Sequence, residues 1–575
     1  MELNILKENM HNLSLEQLKD YLGRSIVDSI IEWTPDNQTL FKKSKLIEMI
    51  LAVHGINILK NKDFRKSILK TLRSDLILSF RENLTGENQQ LTDLNQLVNI
   101  IAENPWRESK ISLKILETLG INENIFENNY EEEAAIYNLT SVDKFYELLD
   151  YQFVIKQRVI NNLTSNVELN RMLVHMPTGT GKTKTAMHTI CHHFLFNLNR
   201  QGLIIWIAHT TELLQQAFET FNLVWRHLGQ DDIKVCKLWG SNSIDERLFD
   251  YNGIVFCGIQ KLMSISTTNP ELFDKLIDKC SLIIFDEAHK AAAPETKNVI
   301  EHFMIKKQGM CDRSLIGLTA TPGRFTDLNA GNDLLASMFG NKLIDIDIEI
   351  MNRINMSKLE ALNTEIEEDT ITYFQKKHIL AKIRKEQLTY SEDLSDEELS
   401  KIRDTANHNG YDDFTAKALE VIGRNKSRNL AIMQKLRELH NQKIPTIVFA
   451  CSVEHGQLLA SMLSIENIPN ALVIGAMSSQ DRVNAIQAFK DQDNPIKILI
   501  NYEVLTTGFD STNIRCVFIT RPTQSVVLYS QMLGRGLRGP QMGGNEECLL
   551  IDVKDNLKRY NEKLAFGHFD SYWKG

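Results

Sequence analysis

Residues 177–183 read Pro-Thr-Gly-Thr-Gly-Lys-Thr, after the apolar run Met172–Met176 and before a helical stretch. That order is strand, glycine loop, helix. Gly179 and Gly181 let backbone N–H groups close around a phosphate, with Pro177, Thr178 and Thr180 completing the cradle. Lys182 brings the loop's side-chain cation to the outer phosphates, and the Thr183 hydroxyl can hold Mg²⁺. The full pattern G-x-x-x-x-G-K-[ST] has Met176 at its first position, which sets the approach to the loop and touches no phosphate. Farther along, the apolar run Leu282–Phe285 ends in Asp286-Glu287-Ala288-His289. Acids at the C-terminal end of a strand lie where open α/β sheets bind ligands. Asp286 suits Mg²⁺, directly or through water, and Glu287 suits the polarising of an attacking water. The chemistry this pair of elements could do is hydrolysis of a nucleoside triphosphate.

Other segments fall in a fixed order around these two. Ala208–Gln216 reads AHTTELLQQ, Gly258–Leu262 reads GIQKL, Leu318–Pro322 reads LTATP, Thr506–Asp510 reads TTGFD and Gln531–Arg538 reads QMLGRGLR. Together they resemble motifs Ia, Ib, III, V and VI of the superfamily 2 DEAD/DEAH-box helicases, with the glycine loop as motif I and Asp286–His289 as the DEAH form of motif II. Asp150-Tyr151-Gln152 resembles the family's Tyr-Gln element, and Phe449 and Arg482 also fit its second-domain pattern. The resemblance covers roughly residues 145–560. It implies ATP and Mg²⁺, two RecA-like domains, and Gln152 on the adenine. It further implies that Thr211, Gln216 and Gln260 contact the strand, while Thr319 and Thr321 link ATP state to that grip. Thr506, Gly508, Asp510 and Gln531 would sense the nucleotide or couple it to the strand. Gly258 stands where the family usually has Thr, so a hydroxyl contact is missing there. Arg535 and Arg538 would face ATP bound on the other domain. A guanidinium on a transferring phosphoryl group is worth about 10³ to 10⁵ in rate, or about 4–7 kcal/mol. Reaching ATP only when the cleft closes would turn hydrolysis into movement.

Gln531 at the head of motif VI, Arg521-Pro522-Thr523-Gln524-Ser525 before it, and the Thr-Ala-Thr-Pro of motif III resemble type III restriction and related DNA helicases more than DEAD-box RNA helicases. The implied function is an ATP-dependent DNA helicase or translocase, insensitive to base sequence, in phage defence and restriction or in repair. No nuclease signature stands beside the motor, so a damaging activity would belong to a partner or effector subunit. The alternatives are an ATP-driven remodeller of a protein or protein–nucleic-acid complex without strand separation, and an RNA helicase. A binding module with a dead site does not fit a chain that has Lys182, Glu287 and both arginines.

The elements that must position these residues form two series of short apolar runs alternating with helical stretches, the signature of parallel α/β sheets with helical crossovers. The first comprises Met172–Met176, Leu203–Ala208, Ile254–Cys257, Leu282–Phe285 and Leu315–Thr319. The second comprises Thr446–Ala450, Ala471–Ile474, Ile496–Ile500, Cys516–Ile519 and Leu549–Ile551. Expected domains are a nucleotide-binding RecA-like domain at 141–340 and a second RecA-like domain at 341–575. Ser391–Asp413 reads as an acidic insert in the connection. Residues 1–130 read as an all-α accessory domain that recruits partners or grips DNA, and whose removal leaves the cleft chemically complete. There Ser14–Gln17 fits a capping box, Leu46–Val53 forms an apolar face stopped at Gly55, and Phe64–Leu76 makes a third helix. Lys62, Lys66, Lys70 and Arg73 line the opposite side of that third helix, a solvated face or a phosphate grip.

A length of 575 residues suits three compact units, and 43% hydrophobic with 24% charged residues describes an ordinary globular protein. The net charge of −9 is not that of a protein that simply coats DNA, yet a motor can grip a strand in a narrow groove with few donors. The 8 cysteines are scattered singly, which argues against a zinc site or disulfide framework and favours the cytoplasm. No apolar run is long enough for a membrane span, and the first residues lack a signal-peptide core.

Overall fold

In a computed structural model, the structure describes residues 3–554 apart from 34–40, 85–88, 108, 122–135, 140–145, 166–169, 230, 241, 243, 245, 305–312, 322–328, 348, 352–369, 391–412, 507–510 and 524. Two sheets organise the described chain. The first contains β1 (Ile136–Leu139), β2 (Arg171–His175), β3 (Leu203–Ala208), β4 (Ile233–Leu238), β5 (Gly253–Gly258), β6 (Cys280–Asp286), β7 (Ser314–Thr319) and β8 (Leu343–Ile344). Its order is β1-β4-β5-β3-β6-β7-β2-β8, parallel except where β1 meets β4. The second contains β9 (Lys382–Leu388), β10 (Thr446–Phe449), β11 (Asn470–Val473), β12 (Ile498–Asn501), β13 (Cys516–Ile519) and β14 (Glu547–Val553). Its order is β11-β12-β10-β13-β14-β9, and every pairing is parallel. This is the expected pair of RecA-like domains. β3, β5, β6 and β7 are buried along their whole length, as strands covered on both faces by crossover helices must be.

The apolar runs locate ten of these strands to within a few residues. Of those the sequence reading missed, β4 and β9 carry charges, β8 is two residues long and β1 is a four-residue edge strand. β4 holds Lys234 and Lys237, and Lys237 is buried with its ammonium 4.1 Å from the Phe218 ring and 5.6 Å from that of Trp239. Edge strand β9 reads KIRKEQL, charged as edges commonly are. β8 pairs with β2 and so carries the first sheet past the expected border at residue 340.

The N-terminal region is helical throughout its described part. The Ser14 hydroxyl accepts from Gln17 N at 3.1 Å and Gln17 Oε1 accepts from Ser14 N at 2.9 Å, the expected capping box. The helix Lys43–His54 ends at Gly55, whose φ of 53° closes it. The third expected helix is two, Lys62–Leu69 and Ser74–Ser79. The Thr71 hydroxyl bonds the Ile68 carbonyl and Asn9, a local bond that competes with helical pairing. Arg73 therefore lies past the break, paired with Asp75, and Lys62, Lys66, Lys70 and Arg73 do not share one helical face. Arg65 between them is buried, donating to the carbonyls of Leu59, Lys60, Ala102 and Asn104.

Helix Lys43–His54 packs along helix Val453–Ile465 of the second RecA-like domain. Leu46, Ile47 and Ile50 thereby join Leu458, Leu459 and Leu463 in one continuous core. Lys45 donates to Asn467 and Asn57 to Asp481 at its rim. The N-terminal region and the second sheet are thus one packed body.

Candidate functional site

The order β6-β7-β2 sets three C-terminal strand ends side by side. β2 leads into the glycine loop, β6 ends on Asp286 and β7 ends on Thr319. Gly179 and Gly181 both have left-handed φ, 86° and 78°, and Gly181 starts the helix Lys182–His192. A β-carbon at Gly181 would meet the Gln152 amide nitrogen at 2.4 Å, so only glycine fits there. The Thr180 hydroxyl closes the loop onto Pro177 O at 2.7 Å. Gln152 is buried, donating to Thr180 O at 3.0 Å and accepting from Leu149 N at 3.0 Å. The nitrogen end of its amide therefore braces the loop, and the oxygen end caps the helix that begins at Asp150. The Tyr151 hydroxyl donates to the same Thr180 carbonyl at 2.6 Å, a contact the sequence reading did not foresee. Thr183, half-buried, opens the first turn of the helix.

Lys182 Nζ lies 3.0 Å from Glu287 Oε1 and 3.4 Å from Asp286 Oδ1. Burial raises the Asp286 carboxyl above its ordinary range despite the Lys182 ammonium. Glu287, half-buried, also loses hydration, but the closer Lys182 charge, with His289 and Arg535, outweighs that and holds its carboxyl below the ordinary range. Glu287 adopts a left-handed φ of 53° at the strand end, a conformation rare for residues other than glycine. Among the described residues no cluster of three or more His, Cys, Asp or Glu side chains could hold a metal ion alone. An acid pair largely shielded from water, whose counter-charge is a lysine side chain, nonetheless suits a hard cation that also takes phosphate oxygens.

His289 joins three motifs. Its Nδ1 lies 3.4 Å from both Thr319 Oγ1 and Glu287 Oε2, and its Nε2 lies 3.4 Å from Gln531 Nε2. The Thr319 hydroxyl already donates to Thr321 O, so it receives a proton on His289 Nδ1, and Nε2 accepts from Gln531. Burial lowers the ring to about 4, so it stays neutral at pH 7.

The second sheet brings its arginines onto this surface. Arg535 is half-buried near Glu287, and its guanidinium donates to Thr506 O at 2.7 Å. Burial lowers it to about 10, with Glu287 opposing. The Thr506 hydroxyl itself turns back to Glu503 O. A β-carbon at Gly534 would meet Thr178 at 2.4 Å, so motif VI lies directly on the glycine loop. A β-carbon at Gly179 would sit 3.6 Å from Arg538 Cγ. Gly508 and Asp510, like Pro322, lie outside the described residues.

On the first domain, a cleft of about 240 Å³ is lined by His209, Thr210, Thr211, Trp239, Gln260 and Lys261. The helices Thr211–Leu228 and Ile259–Thr268 both start there, so two sets of N-terminal N–H groups face it. Gln216 lies farther along the first helix, half-buried. Neighbouring Glu212 pairs with Arg482 of the second domain at 3.1 Å, a cross-domain contact absent from the sequence reading. The seven described cysteines are buried and none forms a disulfide with another, and among the described residues no helix is long and apolar enough to cross a membrane.

Comparison with known proteins follows the two sheets. The family described as "Type III restriction enzyme, res subunit" matches residues 145–324, and "Helicase conserved C-terminal domain" matches residues 429–539. IRC3 of Saccharomyces cerevisiae, named as an ATP-dependent helicase, is 24% identical over 413 residues, 70% of this chain and 51% of that protein. The type I restriction enzyme EcoAI endonuclease subunit of Escherichia coli is 23% identical over 413 residues, 70% of this chain and 45% of that protein. The crystal structure of the DUF1998 helicase MrfA bound to DNA aligns with a TM-score of 0.50 at 16% identity, covering 76% of this chain and 56% of that one. The chain spans about half the length of the curated relatives it matches.

Proposed function

Because the chain belongs to the superfamily 2 helicases related to the type III restriction helicases, we propose that it hydrolyses ATP between its two RecA-like domains and uses the cycle to move on DNA. The observation that carries this reading is the meeting of Arg535 and Arg538, rooted in the second sheet, with Glu287 and the glycine loop of the first. A site split between two bodies works only when they close.

In this reading Lys182 leaves Glu287 for the β- and γ-phosphates, and the glycine-loop N–H groups take the remaining oxygens. Mg²⁺, held through Thr183 and Asp286, would supply charge neutralisation at the β- and γ-phosphate oxygens. Glu287, ionised and freed of its ammonium, orients and deprotonates the attacking water. Arg535 and Arg538 stabilise the charge that spreads over the transferring phosphoryl group. His289 links that event through Thr319 and Gln531 to both domains, with Thr321 and Thr506 beside them and Gly508 and Asp510 next in motif V. Gln152 reads adenine while bracing the loop. Thr211, Gln216 and Gln260 bind strand phosphates, a contact that positions a strand without reading its bases.

DNA is favoured by the kinship with type III restriction helicases, by the type I restriction relative, and by Gln531 at the head of motif VI. A role in restriction or phage defence with a nuclease-bearing partner, or in repair, follows from the same kinship. The test is ATPase activity measured side by side with single-stranded DNA, duplex DNA and RNA. DNA should stimulate most. Stronger stimulation by RNA overturns the DNA assignment, and no response to any nucleic acid favours a protein remodeller.

A further inference from the structure

The segment joining the two sheets is built into the site. Its helix Thr370–Lys376 buries Phe374, whose ring meets that of Tyr151 edge-on at 4.8 Å. Tyr151 is the residue that holds the glycine loop through Thr180 O. The N–H groups of Ile379 and Leu380 both return to Phe374 O, at 2.9 and 3.2 Å, and close a tight turn. From there the chain runs antiparallel to motif VI. Ala381 N donates to Leu537 O at 2.8 Å, Gly539 N to Ile379 O at 2.9 Å and Gln541 N to His378 O at 2.9 Å. Leu380 is thereby paired directly with Arg538. The chain then becomes β9, alongside β14 in the second sheet.

The Leu380 side chain completes the link. It is buried, and a β-carbon at Gly179 would lie 3.6 Å from Leu380 Cδ2, the same distance as from Arg538 Cγ. One leucine thus faces the phosphate loop with its side chain and holds the Arg538 backbone with its own. Glycine leaves room for about one methyl group between the loop and the leucine, so a shift of the loop toward Leu380 closes that gap and then bears on the side chain. The backbone ladder passes that shift to Arg538 without relying on the arginine's flexible stem. Gly539 keeps the ladder close, because a β-carbon there would lie 2.3 Å from His378 O.

We infer that Leu380 is a positioning residue for Arg538, reading the state of the phosphate loop at Gly179 and setting the arginine through the backbone pairing. The inference rests on the ATPase reading above. It makes the interdomain joint part of the nucleotide machinery.

The test is steady-state ATPase of the full chain, with saturating DNA, for Leu380→Ala, Leu380→Met, Arg538→Ala and Leu380→Ala/Arg538→Ala. Misplacing a catalytic group by about an ångström costs on the order of a hundredfold in rate. Leu380→Ala should therefore lower kcat about ten- to a hundredfold with KM for ATP within about threefold. Leu380→Met, of similar volume, should restore most of the rate. The double variant should be no slower than Arg538→Ala alone, because both changes act through one group. Truncating a buried leucine also lowers stability, so Gly539→Ala supplies an independent route, spreading the same ladder without opening a cavity. It should give the same loss of kcat, again absent in the Arg538→Ala background. Losses that multiply with Arg538→Ala for both variants, or a raised KM at unchanged kcat, overturn the inference. An Arg538→Ala protein with wild-type kcat would instead sink the between-domain mechanism itself.

Discussion

Lys182→Ala should destabilise the nucleotide-free protein as well as silence it, by an amount the two neighbouring acids limit. Lys182 Nζ is 3.0 Å from Glu287 and 3.4 Å from Asp286, whose side chains are only 14% and 3% exposed. Removing one partner of a buried ion pair costs about 3–5 kcal/mol, because the remaining charge is left uncompensated. The acids can cap that cost by taking up a proton. Protonating a carboxyl with an ordinary value of 3.8 costs about 1.4 kcal/mol per pH unit above that value, hence about 4 kcal/mol at pH 7 and about 2 kcal/mol at pH 5. In the variant the native state binds a proton that the unfolded chain has released, so its stability falls as pH rises from 5 to 7. In the wild type, Lys182 holds Glu287 below its ordinary range, and stability from that carboxylate is fully present above the unfolded value. The gap between the two proteins should therefore widen by up to about 1.4 kcal/mol per unit between pH 5 and 7, then level off. For a domain of 150–250 residues each kcal/mol is worth about 2–4 °C, so the gap at pH 7 reads as roughly 10 °C. Thermal and urea unfolding at pH 5, 6, 7 and 8 measure it, and Lys182→Ala/Glu287→Gln, with one acid fewer, should recover most of the loss. A deficit that does not change with pH, or none at pH 8, would refute the reasoning.

Glu287→Gln should bind ATP about as tightly as wild type yet hydrolyse it at least about a hundredfold more slowly, since it loses the base and little affinity; nucleotide titration and single-turnover hydrolysis separate the two, and a large affinity loss would contradict its role. Burial holds His209 and His289 each at about 4, so their contribution to stability is intact above pH 6.5 and is lost as pH falls toward 4. Each is worth about 3 kcal/mol, and an acid unfolding curve of His289→Gln should be shallower over that window. Removing residues 1–130 should uncover helix Val453–Ile465, and each large apolar side chain returned to water costs about 1.5–3 kcal/mol. A soluble, monomeric truncation with the full-length Tm would count against the shared core. DNA affinity should fall steeply with salt and vary little with base sequence, as filter binding or anisotropy over a salt series would show; a flat salt response would exclude a phosphate-directed grip.

Much of the nucleotide site was legible locally. A strand covered on both faces writes itself as an unbroken apolar run, so β3 and β6 stood out. The chemistry of the loops they feed lies in a few contiguous residues, as in Pro177–Thr183 and Asp286–His289. Sheet order then did what no motif states, setting β2, β7 and β6 side by side so that Lys182, Thr319 and Asp286 converge.

What the sequence alone determined, then, was the set of candidate groups for the site and the two sheets that present them. The tertiary structure alone decided everything that depends on partners far away along the chain. Nothing local in the run Ile233–Leu238 shows that the Phe218 and Trp239 rings cover Lys237. The run Lys382–Leu388 lacks the apolar signature of a strand, and only its pairing with β14 makes it one. Lys62, Lys66, Lys70 and Arg73 read as one stripe until Thr71 breaks the helix beneath them. The helical region reads as an independent unit until its apolar face is found in the core of the second sheet. Leu380 carries no chemical signature, and its place between Gly179 and Arg538 exists only once both domains are folded. Periodicity and side-chain type are local properties and survive in the sequence. Burial, counter-charge and backbone pairing across domains belong to pairs of distant segments, and only the closed chain supplies the second member of each pair.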